Sequence, residues 1–390
     1  MKNTFDTEPE TPGARGALSP AGAELAVAVI ARVDRDHPAD AVLRDALRSA
    51  KGLPRTESAM VSKAVFSHFR WRGWLDPNRT PQASLRQALG FAGTFRKKPA
   101  SISDAELMEH AIPKWAKEEI AVAPDWLRSI QREPLLWIRS RAAFWNEVQR
   151  ELVLLHRDRL PNAGAHAGDV DLFRCDSFQS GHFELQDIAS QAVGWLCAPK
   201  PGQTWWDACC GEGGKLLHLS DLMKNGGLIW ASDRSLRRLA FLKKRTARAG
   251  CFNYRAVPWQ GTAALPTKTR FDGVLVDAPC SGVGTWGRNP HARWTTRPND
   301  VHELAVVQQR LLQAAAAAVK PGGRLVYAVC TLTRKETDGV ADEFERHVKG
   351  FLPEPVADPF RRPIPPVARH WFWPKDTDGN GMYVAIWRRL

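Results

Sequence analysis

Apolar residues recur at three- and four-residue spacing through "GAELAVAVIARVDR", "ADAVLRDALRSA" and "AMVSKAVFSHFRWRGWL", the pattern of amphipathic helices. Turns containing Pro or Gly separate them, so residues 19–117 are expected to form an all-helical domain. Residues 1–18, rich in Pro, Gly, Thr and Glu, are expected to be a disordered tail. Residues 118–177 have a weaker pattern and read as a small α+β connector. Within them, "PLLWIRSR" reads as a strand, "AAFWNEVQRELVLL" as an amphipathic helix and "LPNAGAHAGDVD" as a linker.

From residue 178 to 390 the pattern changes to short apolar strands alternating with helices. "TWWDAC", "GLIWASD", "NYRAV", "FDGVLVDAP" and "GRLVYAVC" are the strands, and "GMYVAIWRRL" is a last one. Between them lie helical stretches such as "SLRRLAFLKKRTARAG" and "DVHELAVVQQRLLQAAAAAVKPGG", both expected to stop at glycine. Such alternation predicts an α/β fold: a mainly parallel sheet with helices on both faces and ligands at the carboxyl ends of its strands.

Composition adds a partner class. The net charge of +13 favours a polyanion, most simply nucleic acid. Sixteen tryptophans supply core and interface anchors, and some are candidates to stack on bases. Seven cysteines with no CxxC pair argue against a disulfide framework and a zinc site, so no metal is expected. The first residues lack an apolar secretory segment and no window is long enough to cross a bilayer. The expectation is a cytoplasmic monomer with reduced thiols.

Candidate chemistry sits at the strand ends. "WWDACCGEGGKLLHL" places Asp207 before a loop with Gly211, Gly213 and Gly214 and then a helix. This is neither a dinucleotide fingerprint nor a phosphate loop. The following strand ends in Asp233, placed to grip two ribose hydroxyls. A glycine loop followed by such an acid suits a nucleoside without phosphates, of which S-adenosylmethionine is one. Asp233 also suits the N-cap of the next helix.

Two cysteines, Cys280 in "DAPCSG" and Cys330 in "VYAVCTLT", each follow a strand. Carbon 5 of cytosine is too weak a nucleophile to take a methyl group unaided. A thiolate adding to carbon 6 activates it; an acid near the ring and a base for release complete the set. Cys330, Cys280 and Asp277 are the candidates for these parts, and residue logic leaves open which thiol attacks. A single free cysteine is otherwise most often buried and inert. Arg288, His291, Arg293 and Trp294 follow the Pro-Cys loop and are candidates to clamp or stack on an unstacked base. The basic residues of 235–248 read mainly as a solvated helix face.

Together "DAPCSGVGTWGRNPHARW", "VYAVCTLTRKE", "DACCGEGGK", "GHFELQDIASQ" and "DGNGMYVAIW" resemble the Nop/Sun (Fmu) family of RNA cytosine-5 methyltransferases over about residues 180–390. The helical N-terminus more loosely resembles the NusB-like RNA-binding domain of the bacterial small-subunit ribosomal RNA members. The resemblance implies a Rossmann-like class I methyltransferase domain using S-adenosylmethionine on RNA, with ribosomal RNA ahead of tRNA as substrate. It implies that Cys330 is the nucleophile and Cys280 assists release. Cys209, Cys210, Gly211, Glu212, Gly213, Gly214 and Lys215 would form the donor loop. Asp233 would hold ribose, and Asp277 would border donor and base. Gln260 stands where the family has an Asp near the adenine, and Glu212 stands in a loop that usually reads Ala-Pro-Gly-Gly-Lys. "RKET" keeps Glu336 but lacks the family's following Asn. Two rivals remain: a catalytically silent RNA-binding assembly factor, and an amine methyltransferase, which needs no thiol.

Overall fold

The computed structural model of the chain describes residues 18–50, 52–168 and 170–390; the expected tail, apart from residue 18, lies outside them. Helices Pro20–Arg32, Ala39–Ser49, Arg55–Trp71 and Pro81–Lys97 follow the predicted periodicity. Ser19 and Thr80 cap the first and fourth, each with Pro at the helix start. Shorter helices continue to Pro124–Gln131.

Four strands form a small antiparallel sheet: β1 (Leu136–Ser140), β2 (Leu154–Leu155), β3 (Ala163–His166) and β4 (Phe183–Leu185), in the order β2-β3-β1-β4. The stretch read as a linker therefore contains β3. Its Ala and Gly residues carry almost no strand signal, yet a Cβ on Gly164 would sit 3.1 Å from Leu154 on the neighbouring strand. The amphipathic helix expected at 142–155 is shorter, Trp145–Glu151, because Leu154 is drawn into pairing with His166.

The large sheet contains β5 (Thr204–Asp207), β6 (Leu228–Asp233), β7 (Tyr254–Pro258), β8 (Phe271–Asp277), β9 (Val319–Val329), β10 (Phe351–Pro353), β11 (Arg369–Phe372) and β12 (Met382–Arg389). Its order is β10-β12-β9-β8-β5-β6-β7, with β11 also pairing β12. The pairs from β7 through β9 are parallel, and β12 runs antiparallel to β9, β10 and β11. Alternate side chains feed two cores. Trp205, Ile229, Leu275 and Val326 pack with helices Ile188–Cys197 and Gly214–Leu222 on one face. Trp206, Trp230, Val274, Val276 and Tyr327 pack with Pro298–Ala316 and Asp338–His347 on the other. The sheet is thus covered on both faces, as expected. Helix Leu236–Arg248 ends before Gly250, in a left-handed conformation at φ +58°, as predicted. Helix Pro298–Ala316 stops short of Gly322, because "VKPGG" already belongs to β9.

A third core joins the N-terminal helices to the sheet edge: Trp71, Trp126 and Ile130 pack with Val283, Trp286 and Leu332. The loop after β8 is therefore held from both sides.

Candidate active site

The parallel strands β5, β6, β8 and β9 end together at one edge of the sheet. After β5 the chain turns through Gly211 (φ +54°) and Gly213 (φ +89°) into helix Gly214–Leu222. A Cβ on Gly213 would lie 2.2 Å from Leu242, whereas nothing lies within 4 Å of one on Gly211 or Gly214. Glycine is favoured at 213 by its left-handed conformation, and the loop leaves open space at 211 and 214.

Asp233, at the end of β6, is buried at 6% exposure. Its Oδ2 accepts from Gly211 N at 3.0 Å and its Oδ1 from Ser235 N at 2.7 Å. The glycine-loop role and the helix-start role therefore coincide in one carboxylate. Ser235, not Asp233, is the N-cap, accepting from Arg238 N. Glu212 and Gln260 are exposed. Cys209 is partly exposed, and burial pushes its thiol up. Cys210 is buried beside it, its thiol also pushed up by burial.

Asp277 closes β8, and its Oδ2 accepts from Lys215 Nζ at 2.7 Å. Burial disfavours the Lys215 charge, but Asp277 outweighs it and holds the ammonium above its ordinary range. Asp207 is fully buried, and among the described residues no hydrogen-bond partner meets either carboxylate oxygen. Burial first, then the charge of Asp277, pushes its carboxyl up to about 8.

Pro279 takes the chain out of β8, and Gly282 (φ +70°) turns it back. Gly284 N donates to Cys330 O at 3.0 Å, and Gly381 N donates to Gly284 O at 2.7 Å. A Cβ on Gly284 would stand 2.1 Å from Gly381 O, so only glycine permits this approach. The outcome is a contact of 3.3 Å between Cys280 Sγ and Cys330 Sγ. The thiols titrate apart. The hydrogen bond to Cys330, then burial, pushes Cys280 up. That same bond holds Cys330 below its ordinary value against burial and Asp277, with Lys215 assisting. The contact therefore joins one thiol held low to one held high.

The structure corrects the predicted base clamp. Arg293 is 0% exposed and donates to the carbonyls of Trp286, Ile130, Arg70 and Ala111. His291 is buried, and Trp294 Nε1 donates to Phe69 O at 2.7 Å. These three serve the helix–loop seam because helix Arg55–Trp71 packs over them; only Arg288 remains exposed. On the basic helix, Arg245 and Arg248 pair with buried Glu184, while Arg237, Lys243 and Lys244 face solvent. Sequence reasoning gave no part to the unpartnered Asp207 and did not place Lys215 beside Asp277. A basic residue eight after a buried strand-end acid was the available signal.

The cavity chemistry fits a nucleoside methyl donor. Asp233 offers acceptors for a diol, the loop at 211 and 214 has room, and Asp207 is a buried acid without a partner.

An open, doubly covered sheet with a glycine turn after β5 and an acid after β6 is a methyltransferase-type scaffold. The model of the family described as "16S rRNA methyltransferase RsmB/F" matches residues 194–388, and the chain belongs to that family. It is 37% identical over 179 residues to the "Probable ribosomal RNA small subunit methyltransferase B" of Bacillus subtilis, covering 45% of this chain and 40% of that protein. The chain thus matches less than half the length of this relative. It is 29% identical over 400 residues to the ribosomal RNA small subunit methyltransferase B of Thermus thermophilus, covering 94% and 97% of the two chains. The crystal structure of PH0851 shares the fold, with a TM-score of 0.79 at 22% identity over 96% of this chain and all of that one.

Proposed function

We propose that the protein methylates carbon 5 of a cytosine in RNA, with small-subunit ribosomal RNA as substrate and S-adenosylmethionine as donor. The observation that carries this reading is the 3.3 Å thiol contact at the ends of β8 and β9, beside the glycine loop and Lys215–Asp277. Neither an amine methyltransferase nor a silent assembly factor has a use for such a thiol pair at the strand ends. Family membership supports the ribosomal RNA substrate.

S-adenosylmethionine, when bound, supplies an electrophilic methyl group. Gly211, Gly213 and Gly214 would border it, Asp233 would accept from its ribose hydroxyls, and Gln260 is available to its adenine amine. The Cys330 thiolate forms a bond to carbon 6 of the cytosine, and the ring electrons move to carbon 5, which becomes nucleophilic. Asp277, held by Lys215, borders the ring's polar edge. After methylation the carbon 5 proton must pass to a base and the sulfur–carbon 6 bond must break. Cys280, in contact with Cys330, is assigned to that release.

The test uses purified protein, unmodified small-subunit ribosomal RNA and donor labelled in its methyl group. The expected product is labelled 5-methylcytosine, absent with Cys330→Ala. Label confined to tRNA would overturn the substrate, and label undiminished in Cys330→Ala would overturn the mechanism.

A further inference from the structure

Glu336 is buried at 0% exposure, and no basic side chain pairs with it among the described residues. Its Oε1 accepts from Ser281 N at 2.8 Å and Gln308 Nε2 at 2.9 Å. Its Oε2 accepts from Thr333 Oγ1 at 2.8 Å, Thr331 Oγ1 at 3.1 Å and Ser281 Oγ. Tyr327 Oη lies 2.6 Å from the Glu336 backbone carbonyl and 2.9 Å from Gln308 Oε1, tying both residues to β9. Ser281 follows Cys280 and Thr331 follows Cys330, and their hydroxyls also meet at 2.9 Å.

A buried carboxylate is costly unless donors replace water, and apolar packing would hold two loops together at less cost. What apolar packing cannot do is fix two backbones in register through directed bonds. We propose that Glu336 is a positioning residue for the thiol pair: by joining the residues that follow each cysteine, it holds Cys280 Sγ against Cys330 Sγ. The kinetic consequence rests on the function proposed above; the geometric one does not. The Glu336 charge also raises both thiols. Its geometric and electrostatic effects on reactivity are therefore opposed, and a variant can separate them.

The experiment compares wild type with Glu336→Gln, which keeps the shape but removes the charge and presents an amide to a ring of donors. Without RNA or methyl donor, diamide oxidises the pair. It takes two thiol hydrogens with their electrons, is reduced to the hydrazine, and leaves a Cys280–Cys330 disulfide read by peptide mass spectrometry. The link should form on the order of tenfold more slowly in Glu336→Gln, given the steep dependence of such reactions on atom placement. Loss of the charge alone would speed it. Glu336→Asp, which restores the carboxylate, should recover part of the rate. In methyl transfer, Glu336→Gln should lower kcat with KM for RNA unchanged and move the rising limb of the pH profile to lower pH. A packing defect would not move that limb. Folded Glu336→Gln that cross-links at the wild-type rate overturns the proposal. Should that variant not fold, Ser281→Ala/Thr331→Val removes the two bridging hydroxyls. Slowed linkage there supports the clamp, and a wild-type rate overturns it. Slowed linkage in a protein whose wild type transfers no methyl group overturns the function while leaving the clamp standing.

Discussion

The stretch from Asp277 to Trp294 contains two kinds of polar burial only a few residues apart. In its first part, Asp277 and Cys280 face groups whose protons can move: Lys215, Cys330 and the hydroxyls around Ser281. In its second part, Arg293 and Trp294 face carbonyl oxygens of the N-terminal helices, which are acceptors only. A buried cation surrounded by carbonyls is a fastener, whereas a thiol touching a second thiol has a proton to share and is, on the function proposed above, a reagent. Residue type does not separate them, since arginine and tryptophan are also the usual residues for gripping RNA. What separates them is whether the partners can exchange a proton.

The comparison breaks most sharply at the thiols. Cys280→Ala should slow attack, because the bond that favours the Cys330 thiolate is lost, and should block release, so that turnover falls by roughly a hundredfold or more while an RNA–protein adduct accumulates on denaturing gels. Normal turnover without adduct would remove Cys280 from the reagent side. Next, Arg293→Met removes the donor shared by four carbonyls and should cost about 3 kcal/mol of stability in denaturant unfolding. Unchanged unfolding, combined with weaker RNA binding, would put Arg293 back among the RNA contacts. Third, Lys215→Met removes the cation that favours the Cys330 thiolate and leaves Asp277, which disfavours it. The Cys330 value then rises, so the rising limb of the pH–rate profile should move up by about one pH unit. Smallest, Arg288→Ala alters neither set. Stability should stay within about 0.5 kcal/mol, and the slope of log RNA affinity against log salt should fall by about one.

Much of the catalytic half was legible because its signals are local. Strand ends carrying Asp207, Asp233, Asp277, Cys280 and Cys330 can be read from short apolar runs, and the structure brings them to one edge. The glycine at 213 likewise follows from the sharp turn that the loop must make. The seam was not legible. His291, Arg293 and Trp294 look like surface chemistry until helix Arg55–Trp71, more than two hundred residues earlier, is packed over them. The same holds for β3, whose Ala and Gly residues become a strand only through β1 and β2. Glu336 stood out in the sequence as a retained acid, but its five donors come from Ser281, Gln308, Thr331 and Thr333, and only the last two are near it in the chain.

β12 inserts between β9 and the pair β10 and β11, and Gly381 just before it bonds to Gly284, which in turn bonds to Cys330. During vectorial synthesis, every sulfur and carboxylate of the pocket leaves the ribosome before residues 381–389. The nascent polypeptide therefore carries a complete inventory of reactive groups in an unassembled state. The thiol pocket is complete only with β12 seated against β9, because Gly381 ties Gly284, and through it Cys330, into place.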